Sequence, residues 1–149
     1  MKVKQILPTT YLLIAVIVML TLNFVRPVTR LVPTPWNLLG LLPLGFGLWI
    51  NTVADRAFHQ AQTIVKPFEE PTALITDGAF AISRNPMYLG FVAILLGIGV
   101  LLRTLTPYGI VILFAFLMDR LFIQVEERNM EQKFGLVWQA YKKKVRRWF

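Results

Sequence analysis

The sequence predicts an all-α protein, a multi-pass transmembrane helical bundle of about four spans with a cytoplasmic C-terminal amphipathic helix. Three observations predict it. The chain of 149 residues is 56% hydrophobic and only 16% charged, with a mean hydropathy of +0.58. Soluble domains carry about 25% charged residues, so a water-exposed globule is excluded. Apolar runs long enough to cross a bilayer recur along the chain, separated by short breaks rich in proline and arginine. Finally, the sixteen lysines and arginines are distributed very unevenly about those runs. The length is too short for two domains, so residues 1–149 read as one membrane domain. The lack of cysteine excludes a disulfide scaffold and thiolate chemistry, and the single histidine, His59, argues against a metal centre.

The first span is placed at residues 6–25, matching the ~20 residues a bilayer requires. It follows Lys2 and Lys4 as a signal peptide would. Its apolar part is long for such a segment, and no small-x-small cleavage site follows Val25, so a retained helix is expected. Arg26-Pro27 ends it. The second span is placed at residues 36–53, where Gly40, Gly45 and Gly47 permit close helix packing in lipid. Residues 54–85 form a more polar segment containing Pro67, Pro71 and Gly78, long enough to suggest a functional role. Within it, Ala54 to Val65 reads as a short amphipathic helix at the interface. The third span, residues 86–102, opens on Pro86, which suits a first helical turn. A tight turn, Arg103 to Pro107, leads to the fourth span at residues 108–125. Beyond it, in the tail 126–149, Met130, Phe134, Val137, Tyr141 and Val145 recur at helical intervals, marking an amphipathic helix leaving the membrane.

Four spans put both termini on one side. Thirteen of the sixteen basic residues fall there, and only Arg26, Arg30 and Arg103 fall on the other side. The positive-inside rule therefore places the termini, the long loop and the tail in the cytoplasm. The net charge of +8 is thus chiefly a topology signal. Lys142, Lys143, Lys144, Arg146 and Arg147 beside a membrane suit anionic lipid headgroups, and no reading motif accompanies them, so no nucleic-acid partner is expected.

The polar residues gather at the cytoplasmic face. Arg84-Asn85-Pro86-Met87-Tyr88-Leu89-Gly90 begins the third span and Glu126-Glu127-Arg128 ends the fourth. A helix N-terminus with an adjacent guanidinium suits a carboxylate or phosphate. Paired glutamates suit an amine, a sulfonium or ribose hydroxyls, so together the two segments would bind a zwitterion. On the fourth helix Arg120, Gln124 and Glu127 share a face at α-helical spacing, flanked by Asp119 and Glu126. Such charges either face a wet cavity or snorkel to water and pair with one another. His59 reads as an interfacial residue, Tyr88 and Trp138 as interfacial aromatic anchors, and Gly97, Gly99 and Gly109 as packing contacts.

These residues carry a resemblance. Arg84-Asn85-Pro86-Met87-Tyr88-Leu89-Gly90, Glu126-Glu127, and the tail Phe134-Gly135-Leu136-Val137-Trp138-Gln139-Ala140-Tyr141 with Val145 stand in order at matching spacing. With Leu74 to Phe80 upstream, they resemble the integral-membrane methyltransferases of the isoprenylcysteine carboxyl methyltransferase and phospholipid methyltransferase group. The resemblance covers about residues 63–148. It implies S-adenosylmethionine binding at the cytoplasmic end of the last two spans, enclosed by the tail. Gly78, Ala79, Phe80, Arg84, Asn85, Pro86, Tyr88 and Leu89 would line the cofactor, and Glu126 and Glu127 would hold its polar groups. Arg120 and Glu127 would be the catalytic residues, with Arg120 meeting a substrate carboxylate. Asn85 stands where eukaryotic members have histidine, and Ala79-Phe80 replaces Pro-Tyr.

The implied function is methyl transfer to a lipophilic or lipidated acceptor, in first place an isoprenylcysteine-type carboxylate. A phospholipid amine is the nearest alternative. From other classes stand a small four-span transporter, which would want an acid in mid-span, and a non-catalytic lipid-binding protein.

Overall fold

The computed structural model describes residues 7–63 and 71–149. Helix α1, Pro8–Val25, opens with proline in its first turn. A short 3-10 turn, Trp36–Gly40, runs straight into α2, Leu41–Gln60. A single helical turn, α3 (Ala79–Ile82), precedes α4, Pro86–Leu102. Helix α5, Thr106–Met118, passes through a π turn at Asp119–Ile123 into α6, Gln124–Lys144. Three helical stretches, Pro8–Val25, Trp36–Gln60 and Thr106–Lys144, are long and apolar enough to cross a membrane. Pro86–Leu102 is equally apolar but has 17 residues, the lower limit of about 17–25 for a span. The architecture is a multi-pass membrane helical bundle.

Two boundaries differ from the sequence expectation. Instead of a span at 36–53 and a separate interfacial helix from Ala54, α2 runs on to Gln60 without a break. Polar side chains along it find partners on their own helix, although among the described residues Asn51 Oδ1 is buried without one. Asn51 Nδ2 donates to the Gly47 carbonyl, Thr52 Oγ1 donates to that of Leu48, and His59 sits 3.5 Å from Asp55 one turn back. The helix stops where Gln62 takes a positive φ of 47°. The last residues of the expected interfacial helix, Ile64 and Val65, and the expected loop residue Pro67 lie outside the described residues, as does Ile6 at the start of the first span. The fourth span likewise begins two residues before Tyr108, at Thr106, and continues unbroken into the tail helix until Gly135, whose backbone (φ 49°, ψ −118°) redirects the chain.

The bundle is organised around α4. Against α2 it packs backbone to backbone: a Cβ built on Gly40 would lie 2.5 Å from the Gly97 carbonyl oxygen, and one on Gly47 would lie 2.5 Å from that of Gly90. Small residues allow this approach in lipid, where dispersion rather than water exclusion joins helices. Gly45 and Gly109, also read as packing positions, meet nothing within 4 Å. On its other side α4 joins α1 and α5 in a core of Met19, Leu95, Met118, Phe122 and Ile123, while Ile50, Ala54, Ala79, Phe80 and Leu89 form a second core beneath α2. Trp148, from the tail, packs against both.

The loops define two ends. At one, the Leu31 N–H donates to the Arg103 carbonyl (2.8 Å) and Thr104 Oγ1 contacts Asn23 Oδ1 at 2.6 Å. This joins the α1–α2 loop to the α4–α5 turn and gathers Arg26, Arg30 and Arg103. The opposite end holds the start of α1, the end of α2, the start of α4 and the π turn.

Candidate functional site

At that opposite end the C-terminal tail folds back onto the start of α4. The Arg84 N–H donates to the Arg146 carbonyl (3.0 Å), and Ser83 Oγ (3.0 Å) and Asn85 Nδ2 (3.2 Å) both donate to the Arg147 carbonyl. The Arg84 guanidinium also reaches the carbonyls of Lys142 and Val145, each at 3.1 Å. The last carbonyls of a helix lack intrahelical partners, so this guanidinium caps the end of α6. Tyr141 adds a 2.6 Å hydrogen bond from its hydroxyl to the Phe80 carbonyl.

Glu127 sits at the centre of an ion cluster. Arg84 approaches its Oε1 through Nε (3.0 Å) and a terminal nitrogen (2.9 Å), and Arg147 contacts Oε1 (3.3 Å) and Oε2 (2.7 Å). The Arg84 and Glu127 side chains are each only 8% exposed. Arg147 turns its remaining terminal nitrogen to Asp119 Oδ1 at 3.0 Å. The hydrogen bonds to Glu127, ahead of the neighbouring negative charges, hold the Arg147 guanidinium above the ordinary arginine pKa.

The π turn explains which residue joins this cluster. Its closing bond runs from the Gln124 N–H to the Asp119 carbonyl, five residues back instead of four. One extra residue rotates everything upstream by a single residue step, roughly 100°. An uninterrupted α-helix would align Arg120 with Glu127. With the π turn Asp119 takes that place, held also by Gln124 Nε2 at 3.0 Å. Arg120 is exposed, with its guanidinium 5.3 Å from the centre of the Phe116 ring.

Beside the cluster lies a cavity of about 290 Å³, just under the roughly 300–1,000 Å³ of small-molecule pockets. Its walls are mainly apolar: Leu7 and Pro8 at the start of α1, Phe58 of α2, Ile75, Phe80, Met87, Phe91 and Met130. The polar lining comes from Thr9, Arg84, Asn85, Tyr88, Glu126, Glu127, Asn129, Trp138 and Tyr141. Two features of that lining are open to a ligand. Among the described residues, Glu126 accepts a 2.6 Å bond from the Tyr88 hydroxyl on Oε1 and none on Oε2, and Trp138, 3% exposed, has its Nε1 buried without a partner. An unpaired buried donor such as Trp138 Nε1 costs roughly 1–3 kcal/mol, so a ligand acceptor that meets it gains by that amount. Among the described residues, no group of three or more His, Asp or Glu side chains is placed to hold a metal ion.

The cavity therefore brings together Phe80, Arg84, Asn85, Pro86, Tyr88, Glu126 and Glu127 from the residues singled out in the sequence. It leaves four of them out. Gly78, with φ 57°, opens α3 and is exposed; Ala79 and Leu89 are buried in the core beneath α2; Arg120 lies outside. His59 is likewise exposed at the end of α2. Sequence reasoning missed Asn129, Met130, Phe58 and the α1 start as lining, Trp138 as an inward donor, and Asp119 and Arg147 as a pair. Trp138 was detectable, since it shares a helical face with Tyr141 and Val145.

No solved structure matches the chain. It is 36% identical over 115 residues to the protein-S-isoprenylcysteine O-methyltransferase of Saccharomyces cerevisiae, an alignment covering 73% of this chain and 46% of that protein. The chain thus spans about half the length of the curated relative it matches. The model of the phospholipid methyltransferase family matches residues 36–136, which include α2, the Arg84 segment, α4, the π turn and the paired glutamates. With more than half of its length in that match, the chain belongs to the phospholipid methyltransferase family.

Proposed function

We propose that this chain is an integral-membrane enzyme that transfers a methyl group from S-adenosylmethionine to a lipophilic acceptor, with its cavity and both termini facing the cytoplasm. The observation that carries the reading is the unspent polarity of the cavity: the free Glu126 oxygen and the orphaned Trp138 N–H in an otherwise apolar chamber. An anion with an adjacent donor suits a ligand bearing both a positive centre and acceptor atoms, as this cofactor does. When bound, S-adenosylmethionine supplies an electrophilic methyl on a sulfonium. Glu126, oriented by Tyr88, faces the positive charge, and Trp138 donates to an acceptor atom. The apolar walls exclude water, and the chain's contribution is chiefly orientation. Glu127 and Arg84 hold the chamber's shape. The cytoplasmic orientation rests on the asymmetry of the basic residues.

The acceptor is assigned as an isoprenylcysteine-type carboxylate, supported by the yeast relative. A second reading, a phospholipid amine, is favoured by one observation. Arg84 and Arg147 both spend their guanidiniums on Glu127, so among the described lining residues no free cation faces an acceptor carboxylate. Detergent-purified protein given radiolabelled S-adenosylmethionine and either acceptor separates the two. A base-labile methyl ester is expected for the carboxylate, and base-stable label would establish the amine. Failure to bind S-adenosylmethionine by folded protein would overturn both.

A further inference from the structure

The cofactor reading assigns no task to Asp119. It lies on the π turn, lines no part of the cavity, and makes two contacts: Gln124 Nε2 at 3.0 Å and Arg147 at 3.0 Å. Nothing about an acid at this depth is needed for span formation, and a π turn gives up regular α-helical bonding, so the arrangement has to be accounted for by what it holds. It holds the residue whose carbonyl takes hydrogen bonds from Ser83 and Asn85.

We infer that Asp119 is a positioning residue: by gripping Arg147 it pins the C-terminal segment, residues 145–149, to the start of α4 and so fixes the Trp138–Tyr141 wall of the cavity. This rests on the proposal that the cavity is the cofactor site. The geometry supports a division of labour. Glu127 takes Arg147 through Nε and one terminal nitrogen while also holding Arg84, and it leaves the other terminal nitrogen of Arg147 unmatched. Asp119 supplies a second anchor from a different helical segment, which fixes the guanidinium plane through two of its edges. A pinned Arg147 holds its own carbonyl against Ser83 and Asn85, and the preceding carbonyl of Arg146 against the Arg84 N–H. Arg84, held by that segment through its N–H, fixes α6 through its own guanidinium bonds to the Lys142 and Val145 carbonyls, and α6 carries Trp138 and Tyr141. The Asp119 and Arg147 side chains are 21% and 34% exposed. Surface-like pairs of this kind contribute little to global stability, so a local effect can be read without unfolding the protein.

The test uses full-length protein in detergent or nanodiscs, with Asp119→Ala, Asp119→Glu, Arg147→Met and the double variant Asp119→Ala/Arg147→Met. The Arg84 amide reports the C-terminal segment directly, because its N–H is bonded to the Arg146 carbonyl. Asp119→Ala is expected to speed deuterium exchange at that amide and to weaken S-adenosylmethionine binding about threefold to fivefold, the upper end of a partly exposed pair. Asp119→Glu should recover most of both, and in the Arg147→Met background Asp119→Ala should add nothing, since the residue acts through Arg147. Unchanged exchange at Arg84 in Asp119→Ala would overturn the inference, and so would a full additional effect in the Arg147→Met background. If wild-type protein binds no S-adenosylmethionine, the exchange arm still decides whether Asp119 pins the C-terminal segment, and the failure then belongs to the cofactor reading.

Discussion

Glu127→Gln is the variant that most sharply separates a structural keystone from a ligand-binding carboxylate. The substitution preserves shape and removes the charge that two guanidiniums share. Arg84 and Glu127 are each 8% exposed and meet through two contacts of 2.9 and 3.0 Å. Removing one partner of a buried pair costs about 3–5 kcal/mol, because the other charge stays buried and uncompensated. Arg147, one third exposed, adds less than about 1 kcal/mol after solvent screening. Glutamine still offers one accepting oxygen, so the lower part of the range applies, about 3 kcal/mol. At about 2–4 °C per kcal/mol for a chain of this size, the melting midpoint should fall by roughly 6–12 °C. Tryptophan fluorescence during thermal unfolding in detergent measures it. A midpoint within about 2 °C of wild type, together with lost S-adenosylmethionine binding, would refute the argument and make Glu127 itself a ligand to the cofactor.

Other variants probe the remaining parts. Glu126→Gln should keep the wild-type midpoint yet weaken S-adenosylmethionine binding by roughly 10- to 100-fold, the worth of one charge-assisted hydrogen bond; calorimetric titration measures it. Gly47→Ala should cost about 1–3 kcal/mol of stability because its Cβ would collide with the Gly90 carbonyl oxygen, whereas Gly45→Ala, with nothing within 4 Å, should be neutral or mildly stabilising; thermal melts of the two compare them. Truncation after Lys133 removes Trp138, Tyr141 and the C-terminal segment together and should abolish cofactor binding while helical circular dichroism of the spans persists.

The spans were legible because the length of an apolar run and a proline in a first helical turn, as at Pro86, act locally, before any tertiary contact. The end of α2 was not, because polar composition suggested a break while Asn51 and Thr52 bonded along their own helix. Around the site, Arg84 and the paired glutamates could be read from position alone, as helix ends facing one membrane surface. The exchange of Arg120 for Asp119 could not. A π turn has no compositional mark, and its single added residue reassigns every face beyond it. Arg147 was hidden for a different reason: among five basic residues in the last eight it looked like topology signal, and only the folded tail separates it from its neighbours.

The glycine contacts between α2 and α4 have a mechanical meaning. Gly40 faces Gly97 and Gly47 faces Gly90, two points of backbone contact seven residues apart on each helix. Sliding one helix along the other would bring a side chain where only hydrogen fits, at both points simultaneously. The two helices therefore behave as a keyed shaft, locked in register and unable to shear. Helix α1 has no such key, and it holds its neighbours by interleaved side chains such as Met19 and by Tyr11 against Phe122. Since Leu7, Pro8 and Thr9 border the cavity, the chamber's compliant wall is the one at the start of α1, where side chains can yield, and its stiff side is the one backed by the α2–α4 key.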